Sequence, residues 1–232
     1  MARAARIGMN VKRKRILAIS IAILIIALSL IVVFSDSPAS KGIDNKLTRV
    51  ACIGDSITNM SSYPADLQSL LDNNSIVGNF GYNGATVNFN SDRAYLFSDE
   101  FHNARAFHPT TVIIMLGTND ARTNIYQQID RFVNDSEHMI SRIQAFTSKP
   151  QIYLVVPPPI FNNTLDLNST TYTEEVIPRI QQVANTIGLP TIDVYSPLVN
   201  HPEYFPDGVH PNDDGAKIIA DVIFNAINSH SN

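Results

Sequence analysis

Residues Thr110 to Leu116 read TTVIIML, a continuous run of apolar or β-branched side chains that ends at Gly117. A run of this length and composition is typical of a strand whose two faces are both covered by helices, as the strands of parallel sheets are. The polar residues Thr118, Asn119 and Asp120 follow directly. The segment therefore predicts a buried strand of an α/β sheet with polar side chains at its carboxyl end.

Strand-like and helix-like stretches alternate on both sides of this run. Further apolar runs of strand length lie at Arg49–Ile53, Ser75–Phe80, Gln151–Val156 and Thr191–Val194. Longer stretches with apolar residues at helical spacing lie at Tyr63–Leu71, Ser91–Phe107, Tyr126–Phe146, Tyr172–Ile187 and Asn212–Ile227. This alternation predicts βαβ units and a five-stranded parallel sheet with helices on both faces, which is a three-layer α/β/α sandwich.

Polar, glycine-containing segments follow the predicted strands. In open parallel sheets, ligands bind outside the carboxyl ends of the strands, so these segments are expected to carry the binding or catalytic residues. They are Gly54-Asp55-Ser56, Gly81-Tyr82-Asn83-Gly84, Gly117-Thr118-Asn119-Asp120 and, before the last helix, Asp207-Gly208-Val209-His210.

These four segments resemble, in the same order, the four sequence blocks of the SGNH/GDSL hydrolases. Each short motif is weak by itself, but the four together span Ile53 to Pro211 and each lies where a functional loop is expected. The resemblance implies the flavodoxin-like SGNH fold and the activity of a serine esterase that uses no cofactor and no metal.

The resemblance assigns the catalytic residues to Ser56, Asp207 and His210. A serine hydroxyl is a weak nucleophile that needs a neighbouring base and an oriented partner for that base. The three-residue spacing of Asp207 and His210 lets one short turn hold the carboxylate near the imidazole. By resemblance, Ser56 is the nucleophile, His210 its base, and Asp207 the group that orients the base. The alternative role for Ser56 is a helix N-cap.

The resemblance also implies an oxyanion hole. Its donors are the backbone N–H groups of Ser56 and Gly84 and the side-chain amide of Asn119, held ready for the negative charge that develops in the reaction. A plain turn glycine is the alternative for Gly84, and an Asx-turn residue is the alternative for Asn119.

Asp55, Tyr82 and Asp120 are further candidates for contact with substrate. For the two aspartates, structural hydrogen bonding to nearby loops is the favoured interpretation. Tyr82, together with Tyr204 and Phe205, is a candidate for lining a sugar-facing pocket, although core packing explains each aromatic residue equally well.

The segment His201–Asn212 and the prolines Pro157-Pro158-Pro159 resemble the carbohydrate O-acetylesterase branch of the family. The expected substrate is a small-molecule or glycan ester, with an acetyl group removed from an extracellular carbohydrate. Two alternatives stay open. One is a lysophospholipase or thioesterase-like acyl hydrolase, and the other is a catalytically silent surface binding module that kept the fold.

Residues 16–34 read ILAISIAILIIALSLIVVF, without a charge and close to the ~20 residues that span a hydrocarbon core. Lys12-Arg13-Lys14-Arg15 precede this run, which places the N-terminus in the cytoplasm. The expected order is a cytoplasmic segment, a transmembrane signal-anchor, a linker and an exported hydrolase domain, at 1–15, 16–34, 35–46 and 47–232. The alternative is a signal peptide cleaved near Ser37-Pro38-Ala39, which gives a secreted protein.

The charge distribution argues against nucleic acid as a partner. Six of the 17 basic residues lie in the first 35 positions, which hold no acidic residue. The rest of the chain therefore contains 11 basic and 21 acidic residues. An acidic body lacks the clustered Lys and Arg that polyanion binding requires. The sequence is silent on the oligomeric state.

Overall fold

The structure is a computed structural model that describes residues 47–126 and 128–229. Its sheet consists of strands β1 to β5, which are Thr48–Gly54, Ser75–Gly81, Thr111–Met115, Gln151–Val156 and Thr191–Asp193. The strand order is β2-β1-β3-β4-β5, and all neighbouring strands are parallel. The predicted α/β fold with a five-stranded parallel sheet is confirmed, and each strand end lies within one residue of its predicted position.

The inner strands are buried on both faces. Val50, Ala51, Cys52 and Ile53 of β1 are each no more than 1% exposed. Because successive side chains of a strand point to opposite faces, this burial requires helices on both sides of the sheet. Edge strand β2 differs, since Ile76 is 41% exposed.

The α-helices α1 to α9 are Ser56–Met60, Tyr63–Leu70, Asp99–Ala106, Thr123–Tyr126, Phe132–Gln144, Ser169–Thr171, Ile177–Ile187, Tyr195–Leu198 and Asp213–Ser229. Helix α2 packs against α9, and α5 packs against α7. Helix α3 packs on β1 and β2, and α7 packs on β4. The longer helices therefore provide the apolar faces that cover the sheet.

The helix predicted over Ser91–Phe107 is wrong in its first half. That half forms turns and a short 3₁₀ helix at Tyr95–Phe97. The α-helix α3 starts only after Ser98, whose side-chain oxygen accepts a hydrogen bond from the backbone N–H of Phe101 at 3.2 Å. A capping serine followed by acidic residues favours a helix start at this point.

Two other predicted helices are interrupted. The stretch Tyr126–Phe146 contains a separate 3₁₀ turn at Ile129–Arg131, and the long helix α5 begins at Phe132. The stretch Tyr172–Ile187 begins as a π-helix at Tyr172–Val176 before it continues as α7. Pro178 lies just after the π-helix, at a position where it has no backbone N–H to donate to the preceding turn.

The predicted cytoplasmic segment, signal-anchor and linker, residues 1–46, lie outside the described residues. Among the helices of residues 47–126 and 128–229, none combines the length and the apolar character needed to cross a bilayer.

Candidate active site

The carboxyl ends of β1 and β3 meet where the strand order reverses. In a sheet of order 2-1-3-4-5 this reversal is the place where ligands bind. Ser56 begins helix α1 directly after β1, and Asn119 lies in the 3₁₀ turn Thr118–Ala121 after β3. The fold therefore gathers the segments that the sequence singles out at one edge of the sheet.

A chain of hydrogen bonds joins Ser56, His210 and Asp207. The Oγ of Ser56 lies 2.8 Å from Nε2 of His210, and Nδ1 of His210 lies 2.6 Å from Oδ2 of Asp207. The other carboxylate oxygen, Oδ1, accepts the backbone N–H groups of Val209 and His210 at 2.9 and 2.7 Å. Both carboxylate oxygens are thus engaged, which fixes the orientation of the imidazole that they hold.

A glycine and an aromatic contact hold the turn that carries this imidazole. Gly208 has a φ of +83°, and a Cβ atom at this position would lie 2.1 Å from the carbonyl oxygen of Asn162. Phe161 donates its N–H to the carbonyl of Gly208 at 2.8 Å, and its ring packs on Phe205. Phe205 is 3% exposed, so it packs in the core, and Tyr204 stacks on the ring of His201.

The side-chain amide of Asn119 connects the loops that follow β1 and β2. Its Nδ2 donates to Oδ2 of Asp55 at 3.3 Å and to the carbonyl of Ala85 at 3.1 Å. Among the described residues, no acceptor contacts the backbone N–H of Ser56 or of Gly84. The amide of Asn119 thus contacts the neighbours of both donors, Asp55 beside Ser56 and Ala85 beside Gly84.

The loop after β2 also forms the rim of the site. Gly84 has a φ of +73°, which favours glycine, and a Cβ atom there would lie 2.9 Å from Cδ of Arg93. The guanidinium of Arg93 lies 5.7 Å from the ring centre of Tyr82 and donates to the carbonyl of Asn83 at 3.0 Å. Tyr82 is half-buried, whereas Asn83 and Arg93 are exposed.

Asp55 is buried and caps helix α1. Its Oδ1 accepts the backbone N–H of Ile57 at 2.9 Å, so the N-cap is Asp55 and Ser56 is the first residue of the helix. The N-cap alternative for Ser56 is therefore wrong. Capping by the preceding residue leaves the Ser56 hydroxyl free to contact His210.

Asp120 is buried and holds the loop after β2. Its two carboxylate oxygens accept the backbone N–H groups of Val87 and Asn88 at 3.0 and 3.1 Å. Asp135 of α5 extends this support, since it accepts the N–H of Phe89 at 3.0 Å. Within the described ranges, no three His, Cys, Asp or Glu side chains converge in a way that would hold a metal ion.

The sequence profile of the GDSL-like Lipase/Acylhydrolase family matches residues 52–218. The chain belongs to this family. The matched segment contains all four polar segments described above.

Several proteins are similar to this GDSL-family chain. An acetylxylan esterase from Xylanibacter ruminicola is 35% identical over 205 residues, which cover 77% of this chain but only 43% of that protein. An aryl esterase from M. smegmatis and a carbohydrate acetylesterase from Sinorhizobium meliloti superpose with TM-scores of 0.64 and 0.63. Their identities are 17% and 15%, and each comparison covers 78% of this chain and 99% of the other. These two structures support the fold.

The carboxyl groups of this GDSL-family site have displaced pKa values. Burial raises the pKa of Asp55 to about 6 and that of Asp120 to about 7, because the charged form loses its hydration. At Asp207, partial burial also tends to raise the pKa. The hydrogen bonds from His210 and Val209 outweigh it, so that the pKa of Asp207 is below its ordinary value. Asp207 is therefore ionised where it contacts the imidazole.

Sequence reasoning missed two residues that support the site. Arg122 donates from Nη2 to Oδ1 of Asn119 at 3.2 Å, and Asp135 holds the backbone of Phe89. Arg122 could have been noticed because it stands three residues after Asn119, the spacing of neighbours on one side of a helical turn. Nothing in the sequence around Asp135 relates it to a loop 46 residues away.

We expect Asp120→Asn to flatten the pH dependence of the free energy of unfolding between about pH 4 and pH 7. Because burial raises the pKa of Asp120 from 3.8 to about 7, the folded protein binds this proton more tightly than the unfolded chain. The free energy of unfolding of the wild type therefore falls as the pH rises through this window. Urea denaturation at closely spaced pH values measures the slope.

An amide supplies one acceptor oxygen where the carboxylate supplies two, so one of the backbone N–H groups of Val87 and Asn88 is expected to lose its partner in the variant. Asp92→Asn, at an exposed position, is the matched control. An Asp120→Asn slope equal to that of the wild type would contradict the assignment.

Proposed function

We propose that this chain is a serine esterase that removes a small acyl group, acetyl, from a carbohydrate on the outer side of a membrane. The observation that carries the proposal is the hydrogen-bonded chain from Ser56 through His210 to Asp207 at the carboxyl edge of the sheet. Membership of the GDSL-like lipase/acylhydrolase family supports an ester as the substrate.

In the proposed first step, Oγ of Ser56 attacks the ester carbonyl carbon while Nε2 of His210 takes the hydroxyl proton. The tetrahedral intermediate collapses as the bond to the alcohol breaks, and the imidazolium returns the proton to the leaving oxygen. The ionised Asp207 stabilises the imidazolium through the 2.6 Å contact with Nδ1. Water then attacks the acyl group on Ser56 with the same base, and acetate is released.

The proposed oxyanion hole consists of the N–H groups of Ser56 and Gly84 and of Nδ2 of Asn119. The two backbone donors have no other acceptor in the described part of the chain, so they are available to a developing negative charge. Of the two contacts that Nδ2 makes, the one with Ala85 at 3.1 Å is of ordinary length, whereas the one with Asp55 at 3.3 Å is long for an amide donor. A full oxyanion therefore competes well for one of these hydrogens.

Two observations support a carbohydrate as the alcohol. The relative with 35% identity is an acetylxylan esterase. The rim beside Gly84 is polar and aromatic, since Arg93 lies over the ring of Tyr82 and Asn59 donates to the side chain of Asn83 at 2.9 Å. Exposed amides, a guanidinium and a ring face are groups that suit a polyhydroxylated alcohol.

The proposed location follows from the sequence of the N-terminal region. The uncharged run at residues 16–34 and the basic residues before it support a signal-anchor, with the domain from residue 47 tethered outside the membrane. Cleavage after the apolar run is the alternative and gives a secreted enzyme.

Ser56→Ala is expected to lower kcat for p-nitrophenyl acetate by roughly 10³-fold or more, because the acyl-enzyme can no longer form.

Asn119→Ala is expected to lower kcat by ~10²–10³-fold, the usual cost of one oxyanion donor. Steady-state kinetics measure both. Ser69→Ala, at an exposed position of α2, is the matched control and should keep the wild-type rate. Full activity in the Ser56→Ala variant would rule out this serine as the nucleophile.

The acyl preference distinguishes the proposed activity from its alternatives. We expect hydrolysis of p-nitrophenyl acetate and butyrate but not of the octanoate or longer esters, and release of acetate from acetylated xylo-oligosaccharides. Release assays with the wild type and Ser56→Ala in parallel make the comparison. Preference for octanoate and for lysophospholipid would favour a lipid hydrolase. If no ester is turned over and both proteins bind acetylated oligosaccharides equally, the binding module is favoured.

A further inference from the structure

Arg122 contacts the Asn119 amide on the side opposite its donors. Its Nη2 donates to Oδ1 of Asn119 at 3.2 Å, while Nδ2 of the same amide faces Asp55 and Ala85. Two acceptors on the nitrogen side and a cationic donor on the oxygen side are compatible with only one of the two amide orientations. In this orientation Asn119 directs its N–H groups toward the loops of Ser56 and Gly84.

Arg122 is a half-buried cation whose hydrogen bond to Asn119 is to a neutral amide. Among the described residues, Arg131 and Arg179 form ion pairs with acidic side chains, but Arg122 has no such partner. Its Nε is buried and makes no hydrogen bond in the same part of the chain. Because a buried charge is costly unless it is paired, a stabilising ion pair does not explain this arginine.

We propose that Arg122 is a positioning residue that holds and polarises Asn119 as an oxyanion donor, an inference that rests on the proposed function. A cation at the amide oxygen draws electron density from the nitrogen, so the N–H groups become stronger donors. The same bond prevents the amide from turning its oxygen toward the oxyanion, where it would repel the developing charge.

A carboxylate shares the Asn119 donor with the proposed oxyanion. Oδ2 of Asp55 contacts the same Nδ2 atom that would bind the oxyanion, so the carboxylate competes for this donor and its charge opposes the tetrahedral intermediate. The guanidinium binds the other end of the same amide at Oδ1, so Asn119 lies between a carboxylate and a cation. The cation at Oδ1 therefore strengthens the N–H groups for which the carboxylate and the oxyanion compete.

The test compares Arg122→Gln, Arg122→Met and Arg122→Lys in the full chain, with p-nitrophenyl acetate as the substrate. We expect Gln and Met to lower kcat by roughly 10-fold to 10²-fold, less than the loss of Asn119 itself, and to leave KM nearly unchanged. Lys keeps the charge and is expected to retain more activity than either. Arg142→Gln, at an exposed position of α5, is the matched control and should keep the wild-type kcat.

A double variant separates positioning from a general structural role. If Arg122 acts through Asn119, Arg122→Gln has little further effect on kcat once Asn119 is alanine. Equal additional losses in both backgrounds would overturn the proposal, and so would an unchanged kcat in Arg122→Gln or a change confined to KM. Thermal unfolding of each variant is measured alongside, and a loss of activity that follows the loss of folded protein also overturns it.

Ser56→Ala in the same series distinguishes failure of this inference from failure of the proposed function. Ester hydrolysis that persists without the Ser56 hydroxyl contradicts the proposed function. Hydrolysis that depends on Ser56 and Asn119 but not on Arg122 contradicts only the positioning role.

Discussion

Strand β1 pairs in parallel with β2 on one side and with β3 on the other, in registers that place Gly54 opposite both Gly81 and Met115. Because the three strands end at the same level, the segments that follow them meet at one point. A Cβ atom at Gly54 would lie 1.9 Å from Oγ1 of Thr58, so α1 can turn away from β1 only because this residue is glycine. The position of the Ser56 hydroxyl depends on this tight junction.

Buried carboxylates hold the loops around that junction in place. Asp55 caps α1, Asp120 binds two backbone N–H groups of the loop after β2, and Asp135 binds the next one along that loop. Such groups are stable in the interior only when they are hydrogen-bonded, so each one specifies the position of the backbone that it contacts. The raised pKa values of Asp55 and Asp120 reflect the free-energy cost of burying these two charged groups. Arg122 contacts the other end of the Asn119 amide, which Asp55 also contacts.

The strands and the convergence of the four segments could be predicted from the sequence, because a buried parallel strand leaves a continuous apolar run and the sheet rule places functional residues at the carboxyl ends. The helix predicted over Ser91–Phe107 was too long, because the spacing of its apolar residues does not show that the helix begins only after Ser98, its N-cap. The roles of Arg122 and Asp135 could not be predicted, because each depends on a contact with a particular atom of another residue that no local sequence pattern indicates. The N-cap interpretation of Ser56 was wrong for a similar reason, since the choice between adjacent residues depends on which side chain bends back to the helix.

We propose that the Ser56 hydroxyl, activated by His210, is the reacting group. Covalent labelling of the full chain with a fluorophosphonate, followed by mass spectrometry of the peptides, identifies the reactive side chain. We expect the label on Ser56, and we expect His210→Ala, which removes the base 2.8 Å from Oγ, to slow labelling strongly while the protein stays folded. A label on another residue would show that Ser56 is not the nucleophile, and equally fast labelling of Ser56 without the imidazole would show that His210 does not activate it.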